Sequence, residues 1–494
     1  MSLPGPGFVP WAIALAAWAA GFAVAGELLR RIASRYAPAA RTLRPVELVI
    51  VDLYLGGGVL FVIAVVPFGL FYPFAPALVI ALAVAALAGW FVADRRRGRA
   101  WDLRRTVAAF RAPPVLVALG AALALFLVEL WTATSVPTGN TFDSSMLTYY
   151  VGHLETYRTV PFNFLPATPF ANPYPQGTTA WIAAYQGSFG LPPARASLLV
   201  TPLFLGLAPL GAYAVGDRLL GTPLAGATFA VAFAFVGSWT RVLVGGSNDF
   251  VLAFPLVLVL FARVGVWTGR TPLSWGDALG FGALVGVGVS LNPAGPIWLL
   301  LTILFLGVAA GPRSLGRLAA WFGRWLLALG TGVVFALPSL AEEVTGPGGL
   351  FHRGVVAGSV ASPGVPGGIS VAQFFGLADP FLFRGTDVWL SPFPLLRDEL
   401  AVLIALGAAV LLFPRWTPGF TAESREFGRS VLAGGAVAFG ILLAGVAVDT
   451  GATGLGPFLG LTSFAETSIL LFTIYTMVAA VPAYLLLRHA DRRL

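Results

Sequence analysis

The chain has no cysteine and no lysine, and only three histidines in 494 residues. Without cysteine there is no disulfide, no thiolate nucleophile and no thiolate-held metal. His153, His352 and His489 lie far apart in sequence, which argues against a histidine-rich metal centre. Charge is scarce too: 11% of residues are charged, against about 25% in a soluble domain. The apolar runs are continuous rather than alternating, which excludes an outer-membrane barrel. Neither a Walker nor a Rossmann fingerprint is present, so nucleotide chemistry has no sequence support.

What the chain does have is apolar length. Hydrophobic residues make up 57%, and the mean hydropathy is +0.85. A helix crossing the hydrocarbon layer needs roughly 20 apolar residues, and the sequence reads as about thirteen such spans. They fall near residues 9–29, 46–70, 75–93, 114–131, 194–217, 223–239, 249–263, 278–292, 293–310, 326–340, 397–413, 431–448 and 467–487. The predicted fold is an all-α polytopic membrane protein. Residues 1–112 form an N-terminal three-helix membrane segment, and residues 113–494 form the core. Two large extracytoplasmic loops, 135–193 and 341–397, are expected to carry surface helices.

The formal charge of +8 comes from arginine alone. In such a chain it marks cytoplasmic loops rather than a nucleic-acid surface. Clusters at Arg30–Arg44 and Arg95–Arg111 fall on one side of the predicted spans, as do Arg313, Arg317, Arg324, Arg415, Arg425 and Arg429. Only Arg158, Arg195, Arg241, Arg353, Arg384 and Arg397 fall on the other. The expected location is the cell membrane, multi-pass, with the N-terminus outside and the C-terminus cytoplasmic. No positive charge precedes the first apolar run, so that run reads as an uncleaved helix.

The stretch 135–193 is too polar and too rich in proline to be a simple span. It holds Asp143, His153, Glu155 and Arg158 within sixteen positions. Asp143 opens a segment of helical periodicity, with Leu147, Val151 and Leu154 on one face, which suits a helix lying on the membrane surface. A carboxylate at that junction can act as a general base toward a hydroxyl or as a metal ligand. It can equally cap the helix through free backbone N–H groups, and the roles are compatible. Glu129, inside the preceding span, needs a partner or a cavity, and Arg195 or Arg241 can pair with it. Asp249, in the flexible run Gly245–Asp249, can join Asp143 around a divalent cation, Mg or Mn, or simply form a turn. In the second loop, Arg353 and Arg384 suit a phosphate at the membrane face. The outer arginines can instead pair with the acids of that loop, such as Arg397 with Asp398 or Glu399. The run 346–368, rich in Gly and Pro, reads as a flap.

The order of these features resembles the GT-C superfamily of integral membrane glycosyltransferases. A span leads into an outer loop that starts near Asp143. A surface helix runs to Tyr157, and Asn172-Pro173-Tyr174-Pro175-Gln176-Gly177 precedes the next span. Gly216-Asp217-Arg218-Leu219-Leu220-Gly221 looks like the family's short cytoplasmic turn, and Asp249 stands where a second acidic motif is found. The likeness is clearest over residues 114–264. Asp143 is followed by Ser144 and Ser145 rather than a second acid, and the next loop has one Asp rather than Asp-x-Asp. The large C-terminal soluble domain of the oligosaccharyltransferase branch is absent from this sequence.

The resemblance implies a sugar donor carried on polyprenyl or dolichyl phosphate and a glycan, lipid or protein acceptor, with no nucleic acid involved. Asp143 would be the base. His153, Glu155, Arg158, Tyr174, Arg241, Arg353 and Arg384 would bind substrate, and Asp249 would be a metal ligand. The competing expectations are a transporter or lipid flippase, marked by broken helices with charge near mid-membrane, or a non-catalytic assembly subunit.

Overall fold

The computed structural model describes residues 8–34, 36–37, 42–65, 85, 88–89, 92, 108–135, 148–149, 151–152, 156, 176–236, 248–268, 273–310, 314–345, 397–413, 422–449 and 464–491. Within them every regular element is a helix. In chain order these are α1 (Phe8–Ala33), α2 (Pro45–Val65), α3 (Pro113–Ser135), α4 (Gln176–Phe189), α5 (Pro193–Leu219), α6 (Pro223–Val236) and α7 (Asn248–Ala262). They continue with α8 (Val264–Thr268), α9 (Trp275–Leu291), α10 (Ala294–Ala310), α11 (Leu315–Thr345), α12 (Arg397–Leu412), α13 (Ala422–Asp449) and α14 (Phe464–Asp491). Among the described residues, six helices are long and apolar enough to cross a membrane: α1, α3, α5, α11, α13 and α14. Helices α6, α7, α9 and α10 are apolar but only 14 to 17 residues long. At 1.5 Å per residue their described stretches cover about 21–26 Å.

Helix α5 is the hub. Of its 27 residues, all but a few are buried, and it packs against α2, α3, α4, α6 and α7. Pro202 and Pro209 sit inside it, where an internal proline removes a backbone bond and favours a bend. The chain reverses after α5 at Gly221, whose φ of 72° lies in the left-handed region that favours glycine. Thr222 then caps α6 by accepting from the Ala225 N–H.

Without a hydrophobic drive between helices in lipid, close packing depends on small residues. Two seams show this. In α1 and α2, a methyl group on Gly26 would overlap the Asp52 carbonyl, and one on Gly56 would overlap the Phe22 carbonyl. In α9 and α11, Gly282 and Gly286 form a GxxxG pair. A methyl there would overlap the Ala328 carbonyl or the Phe335 Cβ and Gly332 carbonyl.

The helix ends sort into two groups. Arg30 donates through Nε to Asp52 at 2.7 Å and also pairs with Glu27, which takes Arg31 at 2.5 Å. Nearby, Glu47 of α2 accepts from Arg218 Nε at 2.6 Å and Arg218 Nη2 at 2.7 Å, with Arg263 Nη1 at 3.4 Å. Arg44 pairs with Asp217. Arg263 Nη2 donates to Thr42 Oγ1 at 2.9 Å. This arginine-rich end thus ties together α1, α2, the end of α5 and the turn after α7.

Candidate functional site

The opposite end gathers helix starts. Thr178 Oγ1, in the first turn of α4, donates to the Leu291 carbonyl at 2.8 Å. Gly177 lies so close to Ser290 that a Cβ there would overlap its carbonyl. Tyr54 of α2 donates its hydroxyl to the Leu252 carbonyl, in the first turns of α7. The break between α9 and α10 is Asn292–Pro293, and Asn292 Oδ1 accepts from the Ala294 N–H at 3.0 Å, capping α10.

That cap fixes the amide, so its nitrogen faces away from Ala294. Asn292 Nδ2 donates to Asp249 Oδ2 at 3.0 Å and to Glu466 Oε1 at 2.7 Å. Asp249 opens α7 and Glu466 lies in the first turn of α14. Asn292 and Asp249 are both buried. The starts of α4, α7, α10 and α14 therefore surround one turn. Each start carries partial positive charge from unpaired backbone N–H groups. Asp249 and Glu466 complement that charge, and one neutral amide holds the two carboxylates apart. Among the described residues, no three or more of His, Cys, Asp and Glu come together. Two carboxylates already accepting from an amide do not by themselves form a cage for Mg or Mn, which take about six oxygen ligands.

Of the sequence-derived site residues, only Asp249 falls within the described structure. Asp143, His153, Glu155, Arg158, Tyr174, Arg241, Arg353 and Arg384 lie outside the described residues. Glu129 is buried in α3. Arg195, at the start of α5, donates to the Ala133 carbonyl at 3.2 Å, one turn beyond Glu129. Residues 176–189, read from sequence as part of the outer loop, form the buried helix α4.

Asn292 and Glu466 were not singled out by sequence. Asn292 stood only at the junction of two predicted spans, and Glu466 just ahead of the last one. A turn inside a long apolar stretch, with a carboxylate at the start of two other helices, was the available signal. Compared with family models, with curated proteins and with solved structures, the chain matches none.

Proposed function

We propose that this chain is an integral membrane glycosyltransferase. It moves a sugar from a polyprenyl- or dolichyl-phosphate donor to an acceptor hydroxyl at the arginine-poor face of the bundle. The acceptor O–H gives its proton to Asp143 as its oxygen attacks the anomeric carbon. The bond from that carbon to the phosphate oxygen breaks, and the lipid phosphate leaves with the electron pair. Cationic side chains among Arg158, Arg241, Arg353 and Arg384 offset the charge on the departing phosphate.

The observation that carries this reading is the convergence of four helix starts on the Asn292 turn. Helix starts attract anionic groups such as phosphate. From Arg263 at one end of α7 to Asp249 at the other is about 21 Å. With Arg263 at one membrane boundary, Asp249 sits about 9 Å short of the other in a layer of about 30 Å. A donor phosphate entering from the lipid reaches the helix starts at that depth beside Asp249 and Glu466, so its charge has to be offset by the arginines named above. The membrane orientation in this reading puts the arginine-rich end in the cytoplasm.

A second reading has its own support. A helix break such as Asn292–Pro293 within an apolar stretch, beside two carboxylates, is a device of transporters. One assay separates the two. Sealed proteoliposomes are given polyprenyl-phosphate sugar labelled in the sugar, plus an acceptor. Transfer predicts labelled glycoside and free polyprenyl phosphate in stoichiometric yield. Intact labelled donor crossing the bilayer without new glycoside supports transport and defeats the transferase reading.

A further inference from the structure

Most charged groups at the arginine-rich end are committed to one another, but the start of the α9–α11 seam is different. Helix α9 begins at Trp275, which is 52% exposed. The ring lies against α11 where that helix has Gly323: a Cβ there would sit 3.2 Å from the indole Cη2. The Arg324 guanidinium stacks over the same ring, 5.3 Å from its centroid. Arg324 Nε is buried and has no hydrogen-bond partner. Two helical turns earlier on the same face is Arg317, which is exposed. Neither arginine is paired with a carboxylate in the described structure. The acid nearest to Trp275 in sequence, Asp277, is engaged in a capping box, accepting from the Ser274 hydroxyl at 2.7 Å while its own N–H donates to Ser274 Oγ at 3.0 Å. One turn along α9 from Trp275 is Leu279, 45% exposed.

The geometry points to a binding site for one anionic glycerophospholipid at the start of the α9–α11 seam. Its phosphodiester is held by Arg324 and Arg317, and its glycerol and first acyl carbons lie against Trp275 and Leu279. The chemistry selects this occupant. Guanidinium donors match phosphate oxygens through a planar fork. The stacked Trp275 fixes Arg324 and holds its charge in place. An amphipathic indole beside exposed leucine suits the headgroup level of a bilayer and not open water. This inference depends on the chain lying in a membrane and not on the transferase reading.

The test uses the full-length protein purified in neutral detergent, titrated with phosphatidylglycerol or phosphatidylcholine and followed by native mass spectrometry. The wild type is expected to hold one phosphatidylglycerol at least tenfold more tightly than phosphatidylcholine. Arg324→Ala with Arg317→Ala should abolish that preference. Trp275→Leu should weaken it several-fold while leaving both cations. Arg425→Ala, which removes an exposed arginine at the same end on α13, should leave it unchanged. Equal losses in all three variants would show a diffuse electrostatic effect and overturn the site. So would full displacement of the lipid by millimolar inorganic phosphate, which would mean that the pocket reads the anion alone. If the double variant does not fold, Arg324→Lys decides the question: it keeps the charge but loses the fork and the stack, and an unchanged preference overturns the proposal.

Discussion

The two ends of the bundle solve the problem of buried charge in opposite ways. At the arginine-rich end, Glu47 is surrounded: both carboxylate oxygens are held by Arg218 and Arg263, with Arg44 and Asp217 alongside. At the other end, Asp249 and Glu466 both accept from one neutral amide. The first arrangement neutralises carboxylates with fixed cations and welds α2 to α5 and to the end of α7. The second leaves two acids among helix starts, where a charge is stabilised by dipoles and can respond to a ligand. A rigid base under a responsive floor is what a membrane site needs, because reacting groups must be held while the substrate moves.

The comparison breaks first if the arginine-rich end is not a weld. Glu47→Ala leaves two guanidiniums without their buried partner and should cost about 3–5 kcal/mol, the scale for breaking a buried ion pair. Chemical denaturation in detergent would show it, and a loss below about 1 kcal/mol would mean that the network is decorative. Next in size is the seam between the ends. Gly286→Leu inserts a side chain where even a methyl overlaps Gly332 and Phe335, and should destabilise by about 1–3 kcal/mol or prevent folding. Size-exclusion profile and thermal midpoint report this directly.

At the other end the expected cost in stability is smaller and the functional effect larger. Asp249→Asn keeps an acceptor for Asn292 and removes one of two neighbouring negative charges, so stability should change by less than about 1 kcal/mol. Sugar transfer should still fall by roughly tenfold or more, since the floor of the site has lost a charge that the helix starts were arranged to meet. Asn292→Ala should cost about 1 kcal/mol from the lost α10 cap, together with activity, because both carboxylates lose their shared donor. Unfolding and turnover measured on the same preparations test both. An Asp249→Asn protein as destabilised as Glu47→Ala would erase the contrast between the ends. Smallest in energetic effect is a pair of single cysteines at Ser188 and Ala490 in this cysteine-free chain. They should react with an impermeant thiol reagent from opposite sides, and labelling from one side only would invert half of the topology.

How much of this was legible in the sequence differs element by element. The all-helical class and the crowding of arginine at one end followed from composition and the placement of Arg30, Arg44, Arg218 and Arg263. The partners of those arginines did not, because pairing across more than 170 residues, as between Glu47 and Arg218, leaves no local pattern. Asp249 stood out because it is an acid beside a glycine pair. Asn292 did not, because Asn-Pro is ordinary turn chemistry, and its role appears only when α7 and α14 bring carboxylates to it. Helix α4 was hidden by its prolines: Pro173 and Pro175 made the stretch read as loop, although Gln176 to Phe189 is free of them.

The central claim is that chemistry at the arginine-poor face runs through Asp143. Asn caps a helix about as well as Asp, so Asp143→Asn separates catalysis from folding. The measurement is transfer of labelled sugar from a polyprenyl-phosphate carrier in proteoliposomes, with folding checked by the unfolding midpoint. The account predicts an unchanged midpoint and a loss of transfer of roughly a hundredfold or more, the scale for removing a positioned base. Near-normal turnover by the Asn variant would contradict it and leave Asp249 or Glu155 as the next carboxylate to test.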